Sequence, residues 1–529
     1  MVKAKFCLIC FYIGLIHVQT NKEPSSRDVI KLETYETAVN IEIQNHAGQR
    51  RDLVYPDNES TDLNTGITGL SSFARRKHKH HFDRRNSLLR KNNERENFRI
   101  NLKRKRQNLH LKTKEEFNKK ENQTKRQPKG CTGPRLVPTK PFVVVWNVPS
   151  IGCDKRGIHF DFSDFGITAN PGDQFFGKEN VIFYNIGIFP RINKDGSLVN
   201  GGVPQQGDLA SHLAKVVTDT ARSIPDVGFT GAGVLDFESW RPKWETDYSG
   251  LRIYQAKSIN LVKQQHPTWT NNTQIFAEAI KQFETGAKEF MLGTLDKVRQ
   301  LRPSGYFGYY GYPRCWGVPT AAEIVCPAAV TTRINDDLGW LFTGSSGLYP
   351  RIYFNPAVNH TSVHNAIRRI LNETARVQAK FSGLNTPILP YAIFQSGNHF
   401  FDQSDLDLAI REPADMGAAG VVFWGSSAMF HLHDECLNMQ KYIKDVLGPY
   451  VKSTETFFEQ CSQKNCNSNG RCVRKDYEAL AQLNLKENGT DDECRRNMNS
   501  INEEQQKNEF SDAYICRCFQ GWSGPNCSS

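Results

Sequence analysis

Residues 231–244 read Gly231-Ala-Gly-Val-Leu-Asp236-Phe237-Glu238-Ser239-Trp240-Arg241-Pro-Lys-Trp244, and the fold turns on how this stretch is taken. It opens with a Gly/Val/Leu run, the pattern of a buried strand, and stops abruptly at Asp, an aromatic and Glu. Alternate residues of a strand share one side and lie roughly 6.5–7 Å apart. Asp236 and Glu238 therefore project together from the C-terminal end of the strand, the end at which barrel enzymes keep their active sites. Two solvated carboxylates at a strand end are the plainer reading of an isolated D-x-E.

Working outward, similar runs recur at Phe142–Trp146, Val181–Tyr184, Tyr306–Tyr310, Leu348–Tyr353, Ile388–Tyr391 and Gly420–Trp424. Helical patterns fill most of the long gaps. In 273–302, Ile275, Ala279, Phe283, Ala287 and Met291 recur four apart, and similar periodicity returns in 363–381 and 434–447. Strands alternating with helices predict an α/β fold, a distorted (β/α) TIM-like barrel. A doubly wound open sheet is the alternative, without the dinucleotide-binding version, since no G-x-G-x-x-G follows the first strand.

Close carboxylates cannot both ionise freely, so one is expected to keep a proton near working pH. Protonating a glycosidic oxygen requires such an acid. Tyr184, Tyr310, Tyr353 and Trp424 end four of the other strand runs. Each alone is a core residue as readily as a site residue; together, beside a carboxylate pair, they suit a carbohydrate cleft. The aromatics around the pair offer faces for sugar rings, and Arg241 a partner for a substrate carboxylate.

The chain has 529 residues and 38% hydrophobic content, which excludes wholesale disorder, and no internal apolar run reaches membrane-spanning length. The net charge of +11 is local: residues 71–130 hold 21 Lys and Arg against 6 Asp and Glu, so the remainder is mildly acidic. That distribution argues against a nucleic-acid partner. The segment 21–130 reads as a basic, largely disordered extension: a propeptide cut near Arg106 or Arg126, a retained polyanion-binding arm, or a spacer. Residues 1–20 read as a secretory signal, with Lys3 and Lys5 before an apolar stretch from Phe6 to Val18. A secreted, extracellular protein follows. Twelve cysteines remain beyond the signal, and sequons occur at Asn58, Asn122, Asn271, Asn359, Asn372 and Asn488. Of these, Asn271, Asn359, Asn372 and Asn488 are the candidate glycosylation sites.

Past residue 455 apolar periodicity fades and cysteines become dense: Cys461-x4-Cys466-x5-Cys472, a long insert, then Cys516-x-Cys518-x8-Cys527. Six cysteines in a unit without an evident core indicate a disulfide framework, with a zinc site as the disfavoured rival. The ending, with Gly521-Trp522 and Gly524, resembles an EGF-like module. The predicted division is a barrel over 131–450 and the module over 457–528.

From Pro141 to about Tyr450 the chain resembles the animal hyaluronidases of glycoside hydrolase family 56. The marks are Pro-Phe-Val-Val-Val-Trp-Asn at 141–147, Ala169-Asn-Pro-Gly, Val181-Ile-Phe-Tyr184, Asp236-Phe-Glu238-Ser-Trp-Arg-Pro, Tyr310-Gly-Tyr-Pro, Asp337-Leu-Gly-Trp, Tyr349-Pro-Arg-Ile-Tyr353 and Gly417-Ala-Ala-Gly-Val-Val-Phe-Trp424. The WGSS run at Trp424 is similar to venom and invertebrate members. The resemblance implies a secreted endo-β-N-acetylhexosaminidase that cuts β-1,4 bonds between N-acetylglucosamine and glucuronate in hyaluronan, working as a monomer without metal or cofactor. Chondroitin is a second substrate left open. A catalytically weak hyaluronan-binding or adhesion protein is the alternative. Carried over, Glu238 is the acid and then the base, Asp236 orients the substrate's acetamido group, and Tyr353 hydrogen-bonds it. Tyr310 and Trp424 shape its pocket, Tyr184 lines the groove, and Arg241 contacts substrate or holds the cleft. The implied disulfides are Cys153–Cys436, Cys315–Cys326, Cys461–Cys472, Cys466–Cys516 and Cys518–Cys527. Cys131 and Cys494 are left to pair with each other or stay free.

Overall fold

The computed structural model describes residues 140–315, 324–383, 386–475 and 513–529. The signal, the basic extension, Cys131, Cys494 and the sequons at Asn58, Asn122 and Asn488 lie outside them.

The barrel strands are β1 (Val143–Asn147), β2 (Asn180–Phe183), β3 (Ala232–Leu235), β4 (Tyr306–Tyr309), β5 (Tyr391–Ala392) and β6 (Gly420–Trp424). All neighbours run parallel. β2 pairs with β3 and β3 with β4. Bridges Tyr310–Tyr349, Leu348–Ile388 and Arg351–Tyr391 make the segment 348–351 a further strand position between β4 and β5. β5 then pairs with β6, and β6 with β1. The order around the barrel is thus sequential, and the seven predicted runs occupy its seven positions. Among the described residues no ladder joins β1 to β2. On that edge β1 pairs in parallel with the short strand Thr168–Ala169, and Asn170 just after it bridges to β2, donating to the Asn180 carbonyl at 2.8 Å and accepting the Glu179 and Asn180 N–H groups.

These strands read as continuous apolar runs because both of their faces are covered. One row, including Val143, Val145, Ile182, Ala232, Val234, Tyr349, Leu389, Tyr391 and Val422, fills the barrel interior. The alternate row, including Val144, Trp146, Val181, Phe183, Leu235, Phe307 and Phe423, packs outward with the helices. Gly308 permits the closest approach in the wall: a Cβ there would lie 2.1 Å from the Gly347 carbonyl oxygen.

Helix α1 (Asn272–Leu301) buries the four-apart row Ile275, Ala279, Phe283, Ala287 and Met291, and its N-terminus is capped by the Asn271 side chain. Helix α2 (His360–Val377) covers the second predicted helical stretch and is capped in the same way by Asn359. The third, α3 (His433–Tyr442), passes through a π-helical turn at Ile443–Leu447 into α4 (Gly448–Cys466).

Helix α4 differs from the sequence expectation of fading periodicity. Its buried positions include Val451, Thr454, Glu455, Phe458, Cys461, Ser462 and Cys466. The spacing is helical, but Thr, Glu, Ser and Cys occupy the inward face, so an apolar pattern does not register. The expected boundary near residue 457 therefore falls inside a helix. Disulfides join Cys461 to Cys472, Cys466 to Cys516 and Cys518 to Cys527. They surround an antiparallel hairpin of β7 (Gly470–Arg474) and β8 (Tyr514–Cys518). Cys461, Cys466, Cys472, Tyr514 and Cys527 belong to the same buried cluster as the outer face of the barrel, so this unit shares a core with it. Cys153–Cys436 and Cys315–Cys326 are also bonded.

Candidate active site

The inward row decides the site. Ala232 and Val234 face the interior, and the Asp236 amide still donates into the ladder, to the Phe183 carbonyl at 3.0 Å. Asp236 therefore keeps the inward parity of β3 at its C-terminal end. Tyr184, Tyr310, Tyr353 and Trp424 pack against the same interior cluster. They come from positions after β2, after β4, after the 348–351 segment and at the end of β6.

Neighbouring groups join them. Trp424 Nε1 donates to the Tyr184 hydroxyl at 2.7 Å. The Trp424 ring stacks near Tyr353, with centroids 6.2 Å apart. The Tyr310 and Tyr353 rings lie with centroids 6.3 Å apart. Burial raises the Tyr310 hydroxyl above the usual tyrosine range; Arg351 opposes this, and the Glu238 and Asp236 carboxylates reinforce it. Both acids therefore act on one hydroxyl, which places them at the same mouth. Burial, with the hydroxyls of Tyr310, Tyr391 and Tyr184, holds Tyr353 well above its ordinary value. The tyrosines thus remain neutral hydrogen-bond donors. Glu238 is exposed and Asp236 partly buried.

The loop carrying Glu238 is fastened to the barrel. Trp240 is buried, its Nε1 donating to the Pro190 carbonyl at 2.7 Å. Trp244 packs edge-on to Phe283 of α1, with ring centroids 5.7 Å apart. Lys243 Nζ reaches Glu284 at 2.8 Å, and the Trp244 amide donates to the same carboxylate at 3.0 Å. This corrects one expectation: Trp240 and Trp244 are core anchors at 1% and 5% exposure, not faces open to sugar rings. Arg241 is turned onto its own loop. Its amide donates to Asp247 at 2.7 Å, its guanidinium donates to the Thr246 carbonyl at 2.5 Å, and it lies 4.7 Å from the centre of the Tyr248 ring.

Sequence reasoning passed over Tyr391 and Asn147. The Tyr391 ring lies edge-on to Tyr310 at 5.2 Å, and its hydroxyl accepts from Asn147 Nδ2 at 2.8 Å. The signal was available, since Tyr391 also ends a strand run. A polar cavity of about 410 Å³, lined by residues that include Asp154, His159, Asn170, Asp173 and Lys178, contains none of the predicted site residues. Among the sequons, Asn271 and Asn359 are exposed, whereas Asn372 is half-buried and donates to the Ile324 carbonyl at 3.3 Å. Among the described residues no group of three or more His, Cys, Asp or Glu is placed to hold a metal, and no helix is long and apolar enough to cross a membrane.

A parallel barrel with paired acids and clustered tyrosines at the C-terminal ends of its strands defines a carbohydrate-cleaving class, a glycosidase. Residues 131–529 match the hyaluronidase family model of glycoside hydrolase family 56. Hyaluronidase-1 of Homo sapiens is 35% identical over 416 residues, covering 75% of this chain and 94% of that protein. Hyaluronidase conohyal-P1 of Conus purpurascens is 34% identical over 395 residues, covering 74% and 81%. The crystal structure of bee venom hyaluronidase in complex with a hyaluronic acid tetramer is similar at a TM-score of 0.55 and 32% identity, covering 59% of this chain and 98% of that one. This chain belongs to the hyaluronidase family.

Proposed function

We propose that the protein hydrolyses hyaluronan at the β-1,4 bond between N-acetylglucosamine and glucuronate, with retention and with help from the substrate. The observation that supports this reading is the inward parity shared by Tyr184, Tyr310, Tyr353 and Trp424 and continued by Asp236, with the Glu238 and Asp236 carboxylates both acting on the Tyr310 hydroxyl. The hyaluronic acid tetramer bound to a relative of similar fold supports the choice of polymer.

Glu238, exposed in the mouth, gives its proton to the glycosidic oxygen as the bond to the anomeric carbon breaks. The substrate's own acetamido oxygen attacks that carbon, so no bond to the enzyme forms. Asp236 orients the acetamido N–H and takes up the positive charge developing there. The neutral Tyr353 hydroxyl donates to the attacking carbonyl, with Tyr310 and Trp424 walling the pocket. Glu238, now ionised, then takes a proton from the water that opens the cyclic intermediate. Tyr184 lines the groove, and Arg241 holds the loop. The chain is read as secreted, with 1–20 as its signal, 21–130 as a basic extension, 131–450 as the catalytic barrel and 457–528 as an EGF-like module. Glycans are assigned to Asn271, Asn359, Asn372 and Asn488.

Reducing-end release from hyaluronan and from chondroitin tests the assignment. Turnover of hyaluronan supports it; a strong preference for chondroitin overturns the choice of polymer.

A further inference from the structure

Glu238 sits between two fastened amides. On one side the Asp236 N–H is held in the sheet by the Phe183 carbonyl at 3.0 Å. On the other the Arg241 N–H is held at 2.7 Å by a carboxyl oxygen of Asp247. Asp247 has no exposed surface, and its second oxygen is enclosed with no hydrogen-bond donor on it. The groups that face it are Arg241, Arg314 and the hydroxyls of Tyr254 and Tyr312. Among the described residues neither arginine forms an ion pair with it, and the Arg241 guanidinium is committed to the Thr246 carbonyl.

An ionised oxygen without a donor, shut away from water, is costly; the protonated carboxyl avoids that cost and still accepts the Arg241 amide. We propose that Asp247 is a positioning residue for Glu238, clamping the far end of the Asp236–Arg241 segment as a neutral acid. The inference rests on the reading of Glu238 as the proton donor and extends it to the group that sets its place. Burial holds the Asp247 carboxyl at about 8, with the Arg241 amide and the two arginines pulling the other way. Above that pH a charge appears behind the loop. Solvation of that charge competes with the Arg241 contacts, and Glu238 loses its register.

The test compares full-length wild type with Asp247→Asn and Asp247→Ala on hyaluronan across pH 5 to 9. Asparagine keeps the acceptor and cannot ionise. The ratio of kcat for Asp247→Asn to kcat for wild type is expected to stay near one below pH 7 and to rise roughly tenfold by pH 9, following a one-proton titration. Taking the ratio cancels any pH dependence common to the two enzymes. Asp247→Ala is expected to lower kcat tenfold or more at pH 6 with KM little changed. A flat ratio overturns the neutral-acid clamp. So does an Asp247→Asn enzyme that is tenfold impaired at pH 6 while melting like wild type. Failure of the underlying reading shows separately, as full turnover by Glu238→Gln.

Discussion

Trp424 donates its indole N–H to the Tyr184 hydroxyl across 2.7 Å, tying the C-terminal end of β6 to that of β2. Between them lies β1, which carries no ladder to β2 among the described residues. The bond therefore braces the mouth at the seam where β1 and β2 share no direct ladder.

Trp424→Phe removes that donor and keeps one aromatic ring in its place. One lost hydrogen bond at a site is worth about 1–1.5 kcal/mol, so kcat/KM is expected to fall roughly tenfold. Tyr184→Phe should cost a similar amount. The double variant should be no worse than either single one, because both delete the same contact. Fully additive losses would show that the two residues act independently.

Glu238→Gln is expected to abolish hydrolysis, by roughly 100-fold or more, while affinity for hyaluronan oligosaccharides stays within about threefold. Turnover measured against binding by calorimetry separates the two. A variant with wild-type turnover would remove Glu238 from the role of acid.

Tyr353→Phe keeps the ring that lies beside Trp424 and Tyr310 and loses only the hydroxyl. Expected is a drop of about ten- to 100-fold in kcat with KM nearly unchanged, on the proposed role of the hydroxyl toward the attacking acetamido group. A rise in KM at constant kcat would mark it instead as a groove residue.

Glu455 predicts a pH effect far from the mouth. It is buried on α4, accepts the Val144 amide at 3.1 Å and pairs with Lys140 at 3.1 Å. Burial nonetheless raises its carboxyl to about 7 from an ordinary value of 4.5. The folded chain then holds a proton that the unfolded chain has released, so stability falls as pH rises from about 4.5 to 7. Glu455→Gln should flatten that decline, by about 1–3 kcal/mol in urea unfolding at pH 7.5 relative to pH 5. His212 has the opposite slope: burial lowers its ring to about 4, so the stability it lends is lost as pH falls from 6.5. The difference between variant and wild type is therefore the quantity to measure. Parallel pH curves for the two would refute the role given to Glu455.

Much of the architecture is legible in the chain. A barrel strand covered on both faces must be apolar throughout, and a strand that meets the active mouth must end in polar or aromatic residues. Val-Val-Val-Trp-Asn, Val-Ile-Phe-Tyr and Gly-Val-Val-Phe-Trp announce both facts, and α1 announces itself by its four-apart row. The Asp236–Glu238 pair is visible because it ends a buried apolar run, and the aromatic ends of four other strand runs lift it above a merely solvated strand end.

Sequence alone therefore determined the alternation of strands and helices and the acid pair at a strand end, because covering a surface from water leaves a periodic record in composition. Tertiary structure alone decided which row of each strand faces inward, since a strand buried on both sides looks the same from either. It also sent Trp240 and Trp244 into the core, carried α4 through to Cys466 and set Asp247 against the loop that carries Glu238. Those outcomes depend on partners such as Phe283, Pro190 and Arg241 meeting in space, and no local pattern records such a meeting.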